Sequence, residues 1–166
     1  DAYRARGLDL EHIKRKYVEV LNAILSAKPK DMTITMHICR GNFRSTWFSS
    51  GSYEPVAEIL FGSCHVDGFF LEYDSHRAGD FKPLRFINGQ RVVLGLVTSK
   101  TAALENPEDL KERIREAAAY VPLENLCLSP QCGFASTEEG NILTEEEQWA
   151  KIRLVAQVAE EVWQDA

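Results

Sequence analysis

Four side chains in this 166-residue sequence have the types needed to share one metal ion: His37, Cys39, Glu72 and Cys132. Two thiolates, an imidazole and a carboxylate make a donor set suited to zinc, which accepts soft sulfur alongside nitrogen and oxygen. His37 and Cys39 lie in a stretch, residues 31–42, that alternates strictly. Met32, Ile34, Met36 and Ile38 make one apolar face, and Thr33, Thr35, His37 and Cys39 make the other. Glu72 closes an apolar run, and Cys132 follows another. The ligands are far apart in sequence and meet only if their strand ends share one rim. Structural readings therefore stand beside the chemical one. Glu72 can pair with Arg77 or Arg85, and a lone His or Cys at a strand end can simply pack in a core.

Other reactive residues fit less well. Cys127 lies inside its strand and reads as core, while Cys64 and His65 precede a strand and belong to the opposite rim. His76 falls near the correct rim. Arg40 and Arg44, in a polar loop, are candidates for receiving a substrate carboxylate. Ser45 and Ser129 lack arranged His–Asp partners, which argues against a serine hydrolase. No catalytic residue beyond the metal ligands is assigned, and the substrate-binding residues are not readable. With no Cys-x-x-Cys pair among the four cysteines, zinc-ribbon and thioredoxin-type sites have no support.

The elements that must position these residues alternate. A helix over 9–27 presents Leu10, Ile13, Tyr17, Val20, Leu21 and Ile24 on one face. Strands follow at about 32–39, 68–73, 91–98 and 125–129. Helices are predicted at 53–61, with Ser52 as cap, from Asn106 to about Tyr120, and after Thr144. Thr144 and Glu147 form a capping box, and Trp149, Ile152, Val155, Ala159 and Val162 form the buried face. The segment 80–87 is a poorly patterned crossover. This rhythm predicts an α/β fold with a parallel sheet. No strand runs into a glycine-rich phosphate loop, and the polar face of the first strand suits a barrel interior, so a (β/α)8 barrel is favoured over an open doubly wound sheet. Four strands are half of such a barrel. The expectation is that residues 1–166 are a single unit, the C-terminal half of a TIM-type barrel whose N-terminal half is absent from the chain.

The net charge of −6 and the lack of a basic run disfavour nucleic acid as a partner, and no apolar run approaches membrane-spanning length. A cytoplasmic location is expected.

Three segments carry a resemblance: residues 36–42 (Met-His-Ile-Cys-Arg-Gly-Asn), 70–72 (Phe-Leu-Glu) and 128–134 (Leu-Ser-Pro-Gln-Cys-Gly-Phe). They resemble the catalytic domain of cobalamin-independent methionine synthases, and most closely its short single-domain bacterial relatives. The likeness extends to residues 95–100 and the final helix. It implies a (β/α)8 barrel with zinc held by His37, Cys39, Glu72 and Cys132, and transfer of a methyl group to the sulfur of homocysteine. Glu72, the hardest donor, is expected to loosen when the substrate thiolate arrives. Two departures stand out. Thr98 occupies the position where folate-using synthases carry a proton-donating His, which puts methyltetrahydrofolate in doubt as the methyl donor. The acidic motif that binds the amino group of homocysteine lies on an earlier strand in that family and has no counterpart here. Competing expectations are alkyl transfer to another thiol, as in epoxyalkane:coenzyme M transferases, and a non-catalytic fragment or subunit that folds by self-association or by pairing with an N-terminal half.

Overall fold

The computed structural model describes residues 5–135 and 137–164. Helix α1 (Leu10–Leu25) begins at Asp9, whose carboxylate accepts the N–H groups of Glu11 and His12 at 3.0 and 3.2 Å. After it come β1 (Thr35–Ile38), α2 (Glu54–Ser63), β2 (Gly68–Glu72), β3 (Arg91–Val97), α3 (Pro107–Ala118), β4 (Leu126–Pro130) and α4 (Glu145–Trp163). The four strands form one sheet in the order β1-β2-β3-β4, with every pair parallel. Each strand is thus followed by a return across one face, the layout of half a (β/α)8 barrel.

Two predicted caps hold. Asn106 accepts from Glu108, with Pro107 opening α3, and Thr144 and Glu147 form the reciprocal capping box of α4. The N-cap of α2 falls on Tyr53, one residue later than Ser52 and without a side-chain cap bond, although the Ser52 hydroxyl accepts the Glu54 N–H at 3.1 Å. The crossover from β2 to β3 is not an α-helix. It consists of two 3-10 turns, His76–Ala78 and Lys82–Phe86. The segment has no sustained apolar period of the kind an amphipathic helix would bury.

Alternation gives the sheet two faces. Phe69, Leu71, Val92 and Leu94 point to the helices and are essentially inaccessible. Ile34, Met36 and Ile38 pack on the same side, as the alternation of β1 predicts. Ala57 and Phe61 of α2, Ile114 and Ala117 of α3, and Leu154 and Val158 of α4 complete this layer. Phe61 meets Phe69 edge-on with ring centroids 5.1 Å apart. Burying each large side chain here contributes about 1.5–3 kcal/mol before entropy is counted. The opposite face carries the register row His37–Phe70–Val93–Cys127 and, one step toward the carboxyl end, Glu72–Gly95–Ser129. It is largely open. Cys127 therefore sits half-buried on the open face, not in the core.

Two helices bury faces rotated from those their apolar patterns suggest. Helix α1 packs through Val18, Leu21 and Leu25, leaving Tyr17, Val20 and Ile24 exposed. Helix α4 buries Lys151, Leu154 and Val158; of the predicted face, Val155 and Val162 pack at the edge of the core while Trp149 is exposed. Lys151 can be inaccessible because its ammonium is neutralised by Glu105, at 3.0 Å, and donates to the Ala103 carbonyl at 2.5 Å. Periodicity scores such a lysine as polar and so rotates the predicted face.

Between Gly95 and Val97 the β3–β4 register shifts. A Cβ on Gly95 would lie 2.8 Å from both the Gln131 Cα and the Leu71 carbonyl oxygen. Only glycine lets the end of β4 close over β3 at this point.

Candidate metal centre

The carboxyl ends of β1, β2 and β4 meet at one rim of the open face. Cys39 follows β1 directly, and there the chain reverses sharply. Phe48 and Ser49 both donate their N–H groups to the Arg40 carbonyl, at 2.9 and 3.0 Å. Gly41 permits this turn: its φ is +97°, and a Cβ would come within 2.6 Å of the Phe48 nitrogen. With the loop drawn back, the Arg40 N–H donates to Glu72 Oε1 at 3.0 Å, joining the ends of β1 and β2. The Tyr53 hydroxyl accepts the Glu72 N–H at 2.9 Å and fixes the backbone of the same residue.

Cys132 is placed from the other side. The Gln131 N–H donates to the Val97 carbonyl at 2.7 Å, and Ser99 donates to the Gln131 side-chain oxygen at 2.7 Å. Lys100, almost fully buried, reaches across from the end of β3. Its ammonium donates to Asn42 Oδ1 at 2.5 Å and to the carbonyls of Gly41 and Thr46 at 3.0 and 3.1 Å. Asn42 in turn donates to the Gly133 carbonyl at 2.6 Å. Three loops are thereby held in one arrangement.

All four sequence-predicted ligands come together, with their donor atoms within 4.8 Å of one another. Cys39 Sγ lies 4.0 Å from Cys132 Sγ, Cys132 Sγ 3.7 Å from His37 Nε2, and His37 Nε2 3.4 Å from Glu72 Oε1. A tetrahedral zinc, with bonds of about 2.3 Å to sulfur and 2.0–2.1 Å to nitrogen or oxygen, would set its ligands roughly 3.3–3.8 Å apart. The 3.4 and 3.7 Å separations fall in that range, the Cys39–Cys132 separation is slightly wider, and the donor chemistry suits zinc.

The electrostatics reflect the close approach of these donors. Hydrogen bonding to Cys132 and then to Glu72 pushes the His37 imidazolium up to about 10, against the opposing effect of burial. Burial would raise the Glu72 carboxyl, but hydrogen bonding with His37 and the Arg40 backbone prevails and holds it below the usual carboxylate range. Beside the donors a cavity of ≈ 450 Å³, lined by Thr35, His37, Phe70, Ser129, Gln131 and Cys132 among others, opens onto the sheet face. It is large enough for a small organic molecule.

The profile of the family described as "Cobalamin-independent synthase, Catalytic domain" matches residues 18–161. The chain belongs to this family. Two Bacillus subtilis (strain 168) relatives, the uncharacterized proteins YxjH and YxjG, are 56% and 53% identical over 98% and 96% of the chain. The chain spans less than half of their length, 44% and 43%. Among solved structures, a Listeria monocytogenes protein named as a vitamin-B12-independent methionine synthase is 41% identical, with a TM-score of 0.70 over 95% of this chain and 43% of its own. A B12-independent methionine synthase from a Shewanella species, solved in complex with selenomethionine, shares the fold at 20% identity. Its TM-score is 0.67, over 92% of this chain and 46% of its own.

Not every candidate belongs to the centre of this family member. Arg40 is buried, stacked 4.2 Å over the Tyr53 ring and donating to the Gly51 carbonyl, so it holds the loop and is not open to a substrate carboxylate. Arg44 is exposed on the turn at residues 43–46, and His76 is exposed on its 3-10 turn outside the donor cluster. Ser45 donates to Asn141, and Ser129 to the Pro130 carbonyl. Cys64 is fully buried, its thiol raised by burial. Of the two arginines considered for Glu72, Arg77 contacts it at 3.3 Å, while Arg85 pairs with Glu54. Tyr53, Lys100 and Gln131 were not singled out from the sequence. Each acts through a backbone group or a buried amide, which leaves no spacing signature.

Proposed function

We propose that this chain is the metal-bearing C-terminal half of a methyltransferase barrel that passes a methyl group to the thiol of homocysteine. The convergence of the His37, Cys39, Glu72 and Cys132 donor atoms within 4.8 Å of one another carries this reading. These four residues would hold zinc. Bound there, the ion lowers the pKa of a substrate thiol, ordinarily about 8.5, and holds it as a nucleophile at neutral pH.

The chain's own groups condition that chemistry. Cys39 and Cys132 bring two negative charges to the centre, which keeps a neighbouring sulfur electron-rich. The Gly41 N–H, 3.2 Å from Cys39 Sγ, offsets part of one charge and fixes the rotamer. Phe70 and Thr35 wall the adjacent cavity and limit the water reaching a methyl group in transit. Thr98 donates its hydroxyl proton to Asp74 at 2.9 Å, so it is committed elsewhere and is not poised to protonate a folate nitrogen. That supports a donor whose leaving group needs no proton.

The open sheet face and the exposed stripe of Tyr17, Val20 and Ile24 support association with a complementary barrel half. A small thiol acceptor, an independent methyl donor and a cytoplasmic setting complete the proposal. Among the described residues, no helix is long and apolar enough to cross a membrane.

The test is metal stoichiometry by elemental analysis. The purified chain should carry one zinc, and Cys132→Ala should carry none. Undiminished zinc in that variant would sink the assignment. Joined to the N-terminal half, the protein should form methionine from homocysteine and a methylated donor.

A further inference from the structure

Glu72 is wholly inaccessible, and its two oxygens have different neighbours. Oε1 faces His37 and the Arg40 N–H, on the side of the metal donors. Oε2 faces Arg77 Nη2 at 3.3 Å, a long single contact. The same guanidinium is held in three other ways. It contacts Asp74 Oδ1 at 3.2 Å, donates through Nη1 to the Ser49 carbonyl at 2.9 Å, and lies 4.8 Å over the Trp47 ring. Asp74 is fixed in turn by the Thr98 hydroxyl. Arg77 Nε, by contrast, is buried with no hydrogen-bond partner.

Nε and Nη2 form the side-on fork that receives a carboxylate with two parallel hydrogen bonds. Here one prong is at its limit and the other is unused. An unpaired buried donor is costly, so a fork left half-filled has something still to bind.

We propose that Arg77 is a positioning residue that receives the Glu72 carboxylate when a substrate thiol replaces it at the metal. This rests on the metal-site reading above. In the exchange, the metal–oxygen contact of Glu72 breaks, a metal–sulfur bond forms, and the thiol proton leaves to solvent. The centre would then hold three thiolates, with a displaced carboxylate buried alongside. An uncompensated buried charge is strongly unfavourable, and a guanidinium already in place removes that penalty. Arg77 is anchored by Asp74, Ser49 and Trp47, so the carboxylate moves to it.

The test uses the full chain loaded with cobalt(II), whose visible spectrum reports the ligand set, titrated with 2-mercaptoethanol as a thiol that needs no amino-acid contacts. Arg77→Gln should retain stoichiometric metal, yet its thiol midpoint should rise about tenfold, the scale of a lost charge-assisted hydrogen bond. Arg77→Lys, which keeps the charge and loses the fork, should fall between wild type and Arg77→Gln, and it serves alone if the glutamine variant does not fold. A purely structural Arg77 would lower the melting temperature without moving the thiol midpoint of the metal-loaded protein, and that result overturns the proposal. A wild-type spectrum indifferent to thiol overturns it too. Failure of the wild type to bind metal would overturn the site reading itself, which distinguishes the two.

Discussion

The two faces of the sheet are made from the same four strands and obey opposite rules. On the helix side, Phe69, Leu71, Val92 and Leu94 pack side by side and are almost wholly shut off from water. On the open side, Thr35, His37 and Cys127 are polar or reactive, Phe70 is 36% exposed, and Gly95 has no side chain at all. One face is filled for cohesion. The other is left thin so that groups at its rim can meet. The chemistry sits where the packing is poorest, and its precision comes from loops tied by Lys100, Asn42 and the Arg40 backbone.

Substitutions can break or sharpen that contrast. Phe69→Ala, on the filled face, should cost about 3–5 kcal/mol in denaturant unfolding, because the void beneath Phe61 cannot collapse. Cys132→Ala, on the thin face, should remove the bound zinc while the metal-free form unfolds within about 1 kcal/mol of the metal-free parent. Phe70→Ala, the neighbour of Phe69 in sequence, should cost no more than about 1 kcal/mol in the isolated chain. A loss comparable to that of Phe69 would show that the open face is covered in solution.

The smallest effect is expected at the opposite rim. Asp67 accepts the Ile34 N–H at 2.7 Å and pairs with Lys28 at 2.5 Å, and these contacts hold its carboxyl below the usual range. Its native value lies below its unfolded one. Its contribution is therefore present above the ordinary carboxylate range and is lost as pH falls through the depressed native value. Asp67→Asn should slightly lower the melting temperature at neutral pH, and the difference from wild type should vanish as the pH falls below about 4.

Strand positions and caps were legible because they depend on local pattern: period two in residues 31–39, Asn106 before Pro107, Thr144 before Glu147. The four candidate ligands were legible as residue types at strand ends. Their meeting depended on strand order, which no spacing encodes. Helix faces were read less well. An apolar stripe such as Tyr17, Val20 and Ile24 shows where a helix can bury surface, not whether a partner is there, and Lys151 is buried only because Glu105 lies opposite. Arg77 was visible as a partner for Glu72, but its unused Nε was not, since a missing hydrogen bond has no sequence signature.

Gly95 supplies no ligand, yet the Gln131 backbone lies against the space where its side chain would be. A methyl group there would push the start of the β4 loop away from β2, carrying Cys132 away from Glu72. The four donors would then no longer converge closely enough to share one small ion. Their meeting depends in part on an atom that this chain leaves out.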